Sequence, residues 1–371
     1  MDQWQKDLKE SIHDVETLEK VLGIPAETVR DIVDQYPMRI TPYLLKQIKE
    51  EGDAIWKQVV PSPEEAYPET ACEAADPLHE EEDSPVPGLV HRYPDRVLLF
   101  VTNQCPIYCR FCTRKRFVGS PGTLTPDNLA KIVDYISAHT EIRDIIFSGG
   151  DPLMVVDKLL DRVLSALRAI PHLEIIRLGT RVPGTLPSRI TPAFCNMVKK
   201  YHPLYMNLHF NHPDEITPEV ARACGMLADA GVPLGSQTVL LEGVNDTPEI
   251  MKRLMQKLLA IRVKPYYIYQ ADLVRGTQHF RTRVEKGLEI ISALRGHTSG
   301  MAVPHFVIDA PQGGGKVAIL PEGTLLHIDD EEVIIKNYEE KIFKYPQPQP
   351  AAQEHLENEL PLVRARRNGG C

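Results

Sequence analysis

The sequence predicts an α/β fold: a partial (β/α)6 barrel, with a helical segment before it and a β-rich extension after it. Three observations predict it. Six strand-like runs alternate with helix-like stretches between residues 97 and 300. Several helical stretches open with Thr-Pro, a good N-cap followed by proline at the first helical position. The unusual residues fall at the C-terminal ends of the strand-like runs, where such barrels carry their chemistry. A chain of 371 residues holds one such barrel with flanking segments.

Residues 1–88 form a helical segment and connector. DVETLEKVLGI and AETVRDIVDQY carry apolar residues at three- and four-residue spacing. PSPEEAYPET and EEEDSPVPG are rich in Pro and Glu and predict an irregular connector over the surface. Residues 89–300 form the barrel, with strands at 97–102, 144–149, 174–179, 205–210, 234–241 and 264–269. Residues 301–345 are β-rich (AVPHFVID, GKVAIL, GTLLHID, EVIIKNY), and 346–371 form a polar tail, extended or disordered in isolation.

Composition narrows the function class. A net charge of −9 argues against a nucleic-acid binder. No apolar run approaches the roughly 18 residues of a membrane span. The start, MDQWQKDLKE, lacks the basic-then-apolar pattern of a secretory signal, which places the chain in the cytoplasm. The seven cysteines are too sparse for a disulfide framework. Cys195 and Cys224 sit in helical patterns and read as small buried hydrophobes.

Three cysteines cluster. VTNQCPIYCRFCTRKRF follows the first barrel strand and spaces Cys105, Cys109 and Cys112 as Cys-x3-Cys-x2-Cys. Thiolates are soft ligands that suit iron–sulfur clusters and zinc. A closed zinc site takes four ligands, and no fourth cysteine is nearby. Three thiolates on a four-iron cube leave one iron open for a chelating molecule. A zinc knuckle completed by a distant residue is the alternative. This spacing after a first barrel strand resembles the radical S-adenosylmethionine superfamily. The resemblance implies a TIM-like barrel of the radical SAM type, a [4Fe–4S] cluster, and reductive cleavage of S-adenosylmethionine to a 5′-deoxyadenosyl radical. The second strand ends in SGGDP, Ser148 to Pro152. Paired glycines let backbone groups approach a ligand, and the segment is similar to the superfamily's Gly-Gly-Glu-like element, although an ordinary glycine turn reads the same way. By resemblance Ser148, Gly149, Gly150 and Asp151, with His209 and Gln237 on the fourth and fifth strands, contact S-adenosylmethionine. His209 and Gln237 also read as satisfied core polar residues.

A second feature is DAPQGGGK, residues 309–316. It is not a P-loop, because Lys316 is followed by Val and a strand-like run rather than by Ser or Thr opening a helix. A loop-borne lysine has another chemical use, a Schiff base to an aldehyde cofactor. Taken alone, a plain surface turn stands ahead of that use. HRYPDR, before the first strand, offers Arg92, Tyr93 and Arg96, and paired arginines grip phosphate. The alternative is a solvated basic patch.

Together these elements, with SPVPGLVHRYPDRVLLFVTNQC and RGHTSGMAVPHFVIDAPQGGGK, closely resemble the lysine 2,3-aminomutase family over nearly the whole chain. The resemblance implies a radical isomerase that moves an α-amino group from carbon 2 to carbon 3 and uses S-adenosylmethionine and pyridoxal phosphate. It implies that Lys316 carries pyridoxal phosphate as a Schiff base, that Arg92 and Arg96 hold its phosphate, and that Tyr93 and Tyr269 lie nearby. Asp272 and Asp309 match the family positions that bind the distal ammonium of lysine, and Arg114 the position that pairs with the α-carboxylate; Asp272 also reads as a helix cap and Asp309 as a loop cap. A glutamate side chain beside two aspartates would gather three like charges, whereas a lysine ammonium meets two opposite ones. Arginine is also a long cation. Some relatives bind a structural zinc through cysteines near the C-terminus and one after the Asn-Asp of the fifth strand. Here that position is Thr247 and the tail offers Cys371, so structural zinc is not expected. The expected partners are L-lysine, a reducing donor such as flavodoxin or ferredoxin, and further copies of the chain in a homo-oligomer. The rivals are an aminomutase for arginine or glutamate, a lysine aminomutase whose product modifies a protein, and a metal- or cluster-binding module without catalysis.

Overall fold

A computed structural model describes residues 2–67 and 73–347, in two compact units, Met1–Pro321 and Glu322–Cys371. The first unit holds a nine-stranded sheet in sequential order: β1 (Leu89–Tyr93), β2 (Arg96–Thr102), β3 (Asp144–Gly149), β4 (Ile175–Thr180), β5 (Leu204–His209), β6 (Leu234–Leu240), β7 (Lys264–Gln270), β8 (His305–Ala310) and β9 (Gly315–Ala318). Neighbours from β2 to β8 are parallel. β1 and β9 pair antiparallel and form the two edges. The α/β barrel is therefore open.

The expected strand–helix alternation is present from β2 to β7. Helices Pro126–Ala138, Asp157–Arg168, Pro192–Val198, Pro218–Asp229, Pro248–Ala260 and Val284–Leu294 follow these strands. Thr125, Thr191, Thr217 and Thr247 cap four of them, each hydroxyl accepting from the backbone N–H three residues on. Replacing such a cap costs about 1 kcal/mol. The strands read with a period of two, and the two faces differ. On β3, Ile145 and Phe147 are fully buried against the helices, in the core that also takes Ile176, Leu178, Met206 and Leu208. Asp144, Ile146 and Ser148 face the other way and line a cavity inside the barrel. Each fully buried Leu, Ile or Phe contributes roughly 1.5–3 kcal/mol. The helices thus hold the strands while the inner face keeps polar groups for a site.

Several elements differ from the sequence expectation. HRYPDR is not a lead-in to the first strand but the β1–β2 hairpin itself, with Tyr93 opposite Arg96. The strand expected first in the β-rich extension joins the barrel sheet as β8, and DAPQGGGK folds as the β8–β9 hairpin. The parallel run is therefore seven strands. The compact division falls after Pro321, because β8 and β9 pair with the barrel sheet.

The N-terminal helices Val15–Leu22 and Ala26–Gln35 form as expected and build a second apolar cluster that includes Ile107 of the cysteine loop. The connector is not confined to the surface. Glu65, Glu73 and Glu80 within it are buried.

The second unit is a three-stranded antiparallel sheet of β10 (Leu325–Ile328), β11 (Glu332–Lys336) and β12 (Ile342–Pro346). The polar tail from residue 348 onward, with Cys371, and Cys72 in the connector lie outside the described residues. Cys195 and Cys224 are buried on helices, as expected.

Candidate active site

The cavity inside the barrel has a volume of about 660 Å³. Every candidate residue singled out in the sequence lines it.

One end is built by the loop after β2. Cys105, Cys109 and Cys112 are each half-buried there. Burial pushes the Cys105 thiol well up, and Asp151 and then the other two cysteines add to the shift. Burial and Cys109 push Cys112 up to about 11. Three soft thiols lining one end of a cavity are the donor type that an iron–sulfur cluster takes. Two donors already point at the sulfurs. Arg181 Nη1 donates to Cys109 Sγ at 2.8 Å, and the Arg114 backbone N–H donates to Cys112 Sγ at 3.3 Å.

The glycine pair after β3 has a use the sequence did not show. Gly149 has φ +110°, and an added Cβ would lie 2.5 Å from the Thr102 carbonyl oxygen. At Gly150 it would lie 2.4 Å from the Gln104 carbonyl oxygen. Gly149 lets β3 press against the end of β2, and Gly150 lets the turn that follows press against the cysteine loop. Asp151 is buried, and its oxygens accept from Leu153 N at 3.0 Å, Arg181 N at 2.8 Å and Thr180 Oγ1 at 2.8 and 2.9 Å. It ties the ends of β3 and β4 together. His209 Nε2 is 3.0 Å from Asn211 Oδ1. Burial and the Arg181 charge push His209 down to about 3, so it is neutral. Gln237 pairs with His209 in the β5–β6 register, and both line the cavity.

The other end is built by the two sheet edges. Lys316 sits opposite Asp309 in the β8–β9 ladder. Its Nζ is 2.9 and 3.1 Å from the Asp309 oxygens and 5.3 Å from the Tyr269 ring centre. Lys316 N donates to Tyr93 Oη at 3.0 Å, joining β9 to β1. Arg96 lies 3.9 Å over the Tyr93 ring. Arg92 is held by Asp83 and by the Leu78 carbonyl. Gly313 and Gly315 both have φ +80°; an added Cβ would meet the Arg92 guanidinium at 3.1 Å and Tyr93 Oη at 3.2 Å. The glycines keep this cradle open around a lysine and two arginines, a donor set that fits an aldehyde bearing a phosphate.

Arg114 and Asp272 line the same cavity. Asp272 Oδ2 accepts from Thr113 Oγ1 at 2.8 Å. Burial, and then Asp309, push Asp272 up to about 6. Arg114 donates to Glu80 through Nε at 3.1 and 3.0 Å and through Nη2 at 2.6 Å, and to Ser148 Oγ through Nη1 at 3.0 Å.

Sequence reading missed Glu80, Arg181 and Tyr267. Arg181 is buried at the end of β4, between Cys109 and Glu215. Tyr267 lines the cavity on the same strand as Tyr269, and burial pushes it up to about 12. A signal for Glu80 was present. CTRKR carries three adjacent cations, and cations on a loop that becomes buried require carboxylates from elsewhere. The zinc position of some relatives, Thr247, is a helix cap, its hydroxyl accepting from Ile250 N.

Comparison with known proteins places this geometry. Residues 99–255 match the model of the Radical SAM superfamily, and residues 291–367 match the family model described as Lysine-2,3-aminomutase. The chain is 50% identical to the L-lysine 2,3-aminomutase of Fusobacterium nucleatum over 95% of its own length and 84% of the relative's. It is 50% identical to the L-lysine 2,3-aminomutase of Clostridium subterminale over 93% of its length and 84% of the relative's. The Glutamate 2,3-aminomutase of Clostridioides difficile is 44% identical over 92% of this chain and 81% of that one. The superfamily implies a [4Fe–4S] cluster and S-adenosylmethionine, and the thiol end of the cavity fits the first. A barrel with three cysteines after its first parallel strand, and similarity along nearly all its length, make the chain a radical enzyme belonging to the lysine 2,3-aminomutase family.

Proposed function

We propose that this enzyme moves the α-amino group of L-lysine from carbon 2 to carbon 3, giving L-β-lysine, with the cluster on Cys105, Cys109 and Cys112 and pyridoxal phosphate on Lys316. When bound, the cluster and S-adenosylmethionine supply a 5′-deoxyadenosyl radical, and pyridoxal phosphate supplies a conjugated ring to carry the migrating nitrogen. The chain's own residues bind, orient and exclude water. Arg92, Tyr93 and Arg96 hold the phosphate, and Tyr269 walls the cavity beside Lys316. Ser148, Gly149, Gly150, His209 and Gln237 face S-adenosylmethionine, with Asp151 fixing the turn from below. Arg114 takes the substrate α-carboxylate.

One observation carries the choice of substrate. Asp309 already accepts an alkylammonium, the Nζ of Lys316, at 2.9 and 3.1 Å, and Asp272 borders the same space. That pair suits the distal ammonium of lysine, and a glutamate carboxylate there would be repelled. Lysine, arginine and glutamate offered side by side to the anaerobically reconstituted enzyme test it. Lysine is expected to turn over fastest, and faster turnover of either rival overturns the assignment. Lys316→Ala is expected to keep its iron content and lose β-lysine formation. Undiminished product from that variant would remove Lys316 from the role. A one-electron donor such as flavodoxin or ferredoxin, a homo-oligomeric assembly and a cytoplasmic setting complete the proposal.

A further inference from the structure

We propose that Glu80 is a positioning residue for substrate recognition: it holds one edge of the Arg114 guanidinium so that the opposite edge meets the substrate α-carboxylate. The proposal rests on Arg114 being the carboxylate's partner, and its test separates the two. A guanidinium has five N–H donors in a rigid fork. Glu80 takes the Nε–Nη2 edge of Arg114, at 3.1, 3.0 and 2.6 Å. Ser148 Oγ takes one N–H of Nη1 at 3.0 Å. Five donors less these three leave one N–H on each terminal nitrogen free for a carboxylate. The Phe100 ring centre, 5.1 Å from Arg114 Cζ, restrains the plane of the fork.

Glu80 is itself held from a second side. It also accepts from Arg116 Nη2 at 3.2 Å, and Arg116 reaches on to Asp76 and Glu81, each at 3.3 Å. Glu80 is only 5% exposed and stays ionised. Burial alone would raise it, but the charges and hydrogen bonds of Arg114 and Arg116 hold it down at about 2. Glu80 comes from the connector rather than the barrel. A segment outside the catalytic fold thereby sets the angle at which the substrate is read.

If Glu80 acts this way, its loss must be felt by a substrate with a carboxylate and not by one without. L-lysine and its decarboxylated analogue 1,5-diaminopentane are titrated by calorimetry into anaerobic holoenzyme lacking S-adenosylmethionine. Glu80→Gln is expected to raise the Kd for lysine by about 10-fold or more and to leave that for diaminopentane within about 2-fold. With S-adenosylmethionine present, KM for lysine rises while kcat changes by less than about 3-fold. Glu80→Asp, which keeps the charge but spans less of the edge, is expected in between. Should Glu80→Gln lose its fold or iron, the folded Glu80→Asp must still show a loss selective for lysine. Arg114→Gln separates the proposal from its premise. If Arg114→Gln keeps the preference for lysine over diaminopentane, the premise fails and the proposal with it. If Arg114→Gln loses the preference while Glu80→Gln keeps it, the proposal alone fails. Tighter lysine binding by Glu80→Gln would mark Glu80 as a competitor and also overturn the proposal.

Discussion

Asp272 shows how a single residue serves the site against its own stability. In the proposed function its carboxylate must be ionised to hold the lysine ammonium, yet burial and then the charge of Asp309 push it up to about 6. The sign follows from that direction. A carboxyl raised above its unfolded value favours the fold fully below the ordinary carboxylate range, and that contribution is lost as pH rises through about 6. Near neutral pH the free enzyme therefore carries a disfavoured buried anion that gains from an arriving cation. Asp272→Asn is expected to keep the thermal midpoint or raise it by about 2–4 °C, while KM for lysine rises roughly 10-fold or more. In the wild type, kcat/KM for lysine is expected to fall as pH drops through about 6, and the variant should lack that inflection. A variant with a lower midpoint and an unchanged KM would refute this role. The residue types of the site were legible in the sequence because they stand in short motifs. The opposition of Asp309 and Lys316 was not, since it depends on the four residues between β8 and β9 closing a hairpin.

At the scale of elements, the connector between the N-terminal helices and the barrel acts as a staple on the cysteine loop. Glu65 accepts from Arg110 Nε and Nη2, both at 2.8 Å, and from Lys115 Nζ at 2.6 Å, and all three side chains are buried. Arg110 stands between Cys109 and Cys112, so the staple grips the loop at its centre. Burial would raise Glu65, but the charges of Arg110 and Lys115 override it and lower it. Its contribution to stability is therefore present above the ordinary carboxylate range and lost as pH falls through the lowered value. Glu65→Ala strands two buried cations and is expected to cost about 3–5 kcal/mol in denaturant unfolding, with less iron retained per chain. A loss under about 1 kcal/mol with full iron content would show the staple to be idle. The strands and capped helices of the barrel could be read in advance because their signals are local: alternation, and Thr-Pro at four of the six helix starts. The connector could not. Proline and glutamate read as solvent-facing, and their burial is decided by cations more than thirty positions away in the chain.

Across the whole molecule, the open sheet explains why the two ends of the cavity differ. The thiol end stands on β2, β3 and β4, adjacent strands of the parallel run whose hydrogen bonding is complete on both sides. The lysine end stands on β1 and β9, the two edges, which meet through the Tyr93–Lys316 bond. Pyridoxal phosphate attached to Lys316 and gripped by Arg92, Tyr93 and Arg96 would bridge that seam. A ligand that binds only the folded state stabilises it by mass action, and here the gain should concentrate where the ladder stops. Loading pyridoxal phosphate into the cluster-containing enzyme is thus expected to raise the thermal midpoint. Amide exchange should slow in β1, β8 and β9, while β3 to β6 stay within error. Lys316→Ala should lose most of both effects. Cys105→Ala, although unable to hold a complete cluster, should still acquire a pyridoxyl group on Lys316 after borohydride reduction, because Lys316 and Tyr93 stand on the edge strands, away from the loop that carries the cysteines. Uniform protection across all nine strands would mean that the cofactor acts on the fold as a whole. Failure of the cysteine variant to label Lys316 would mean that the two ends form one cooperative unit. In either case the seam would not be the element that pyridoxal phosphate closes.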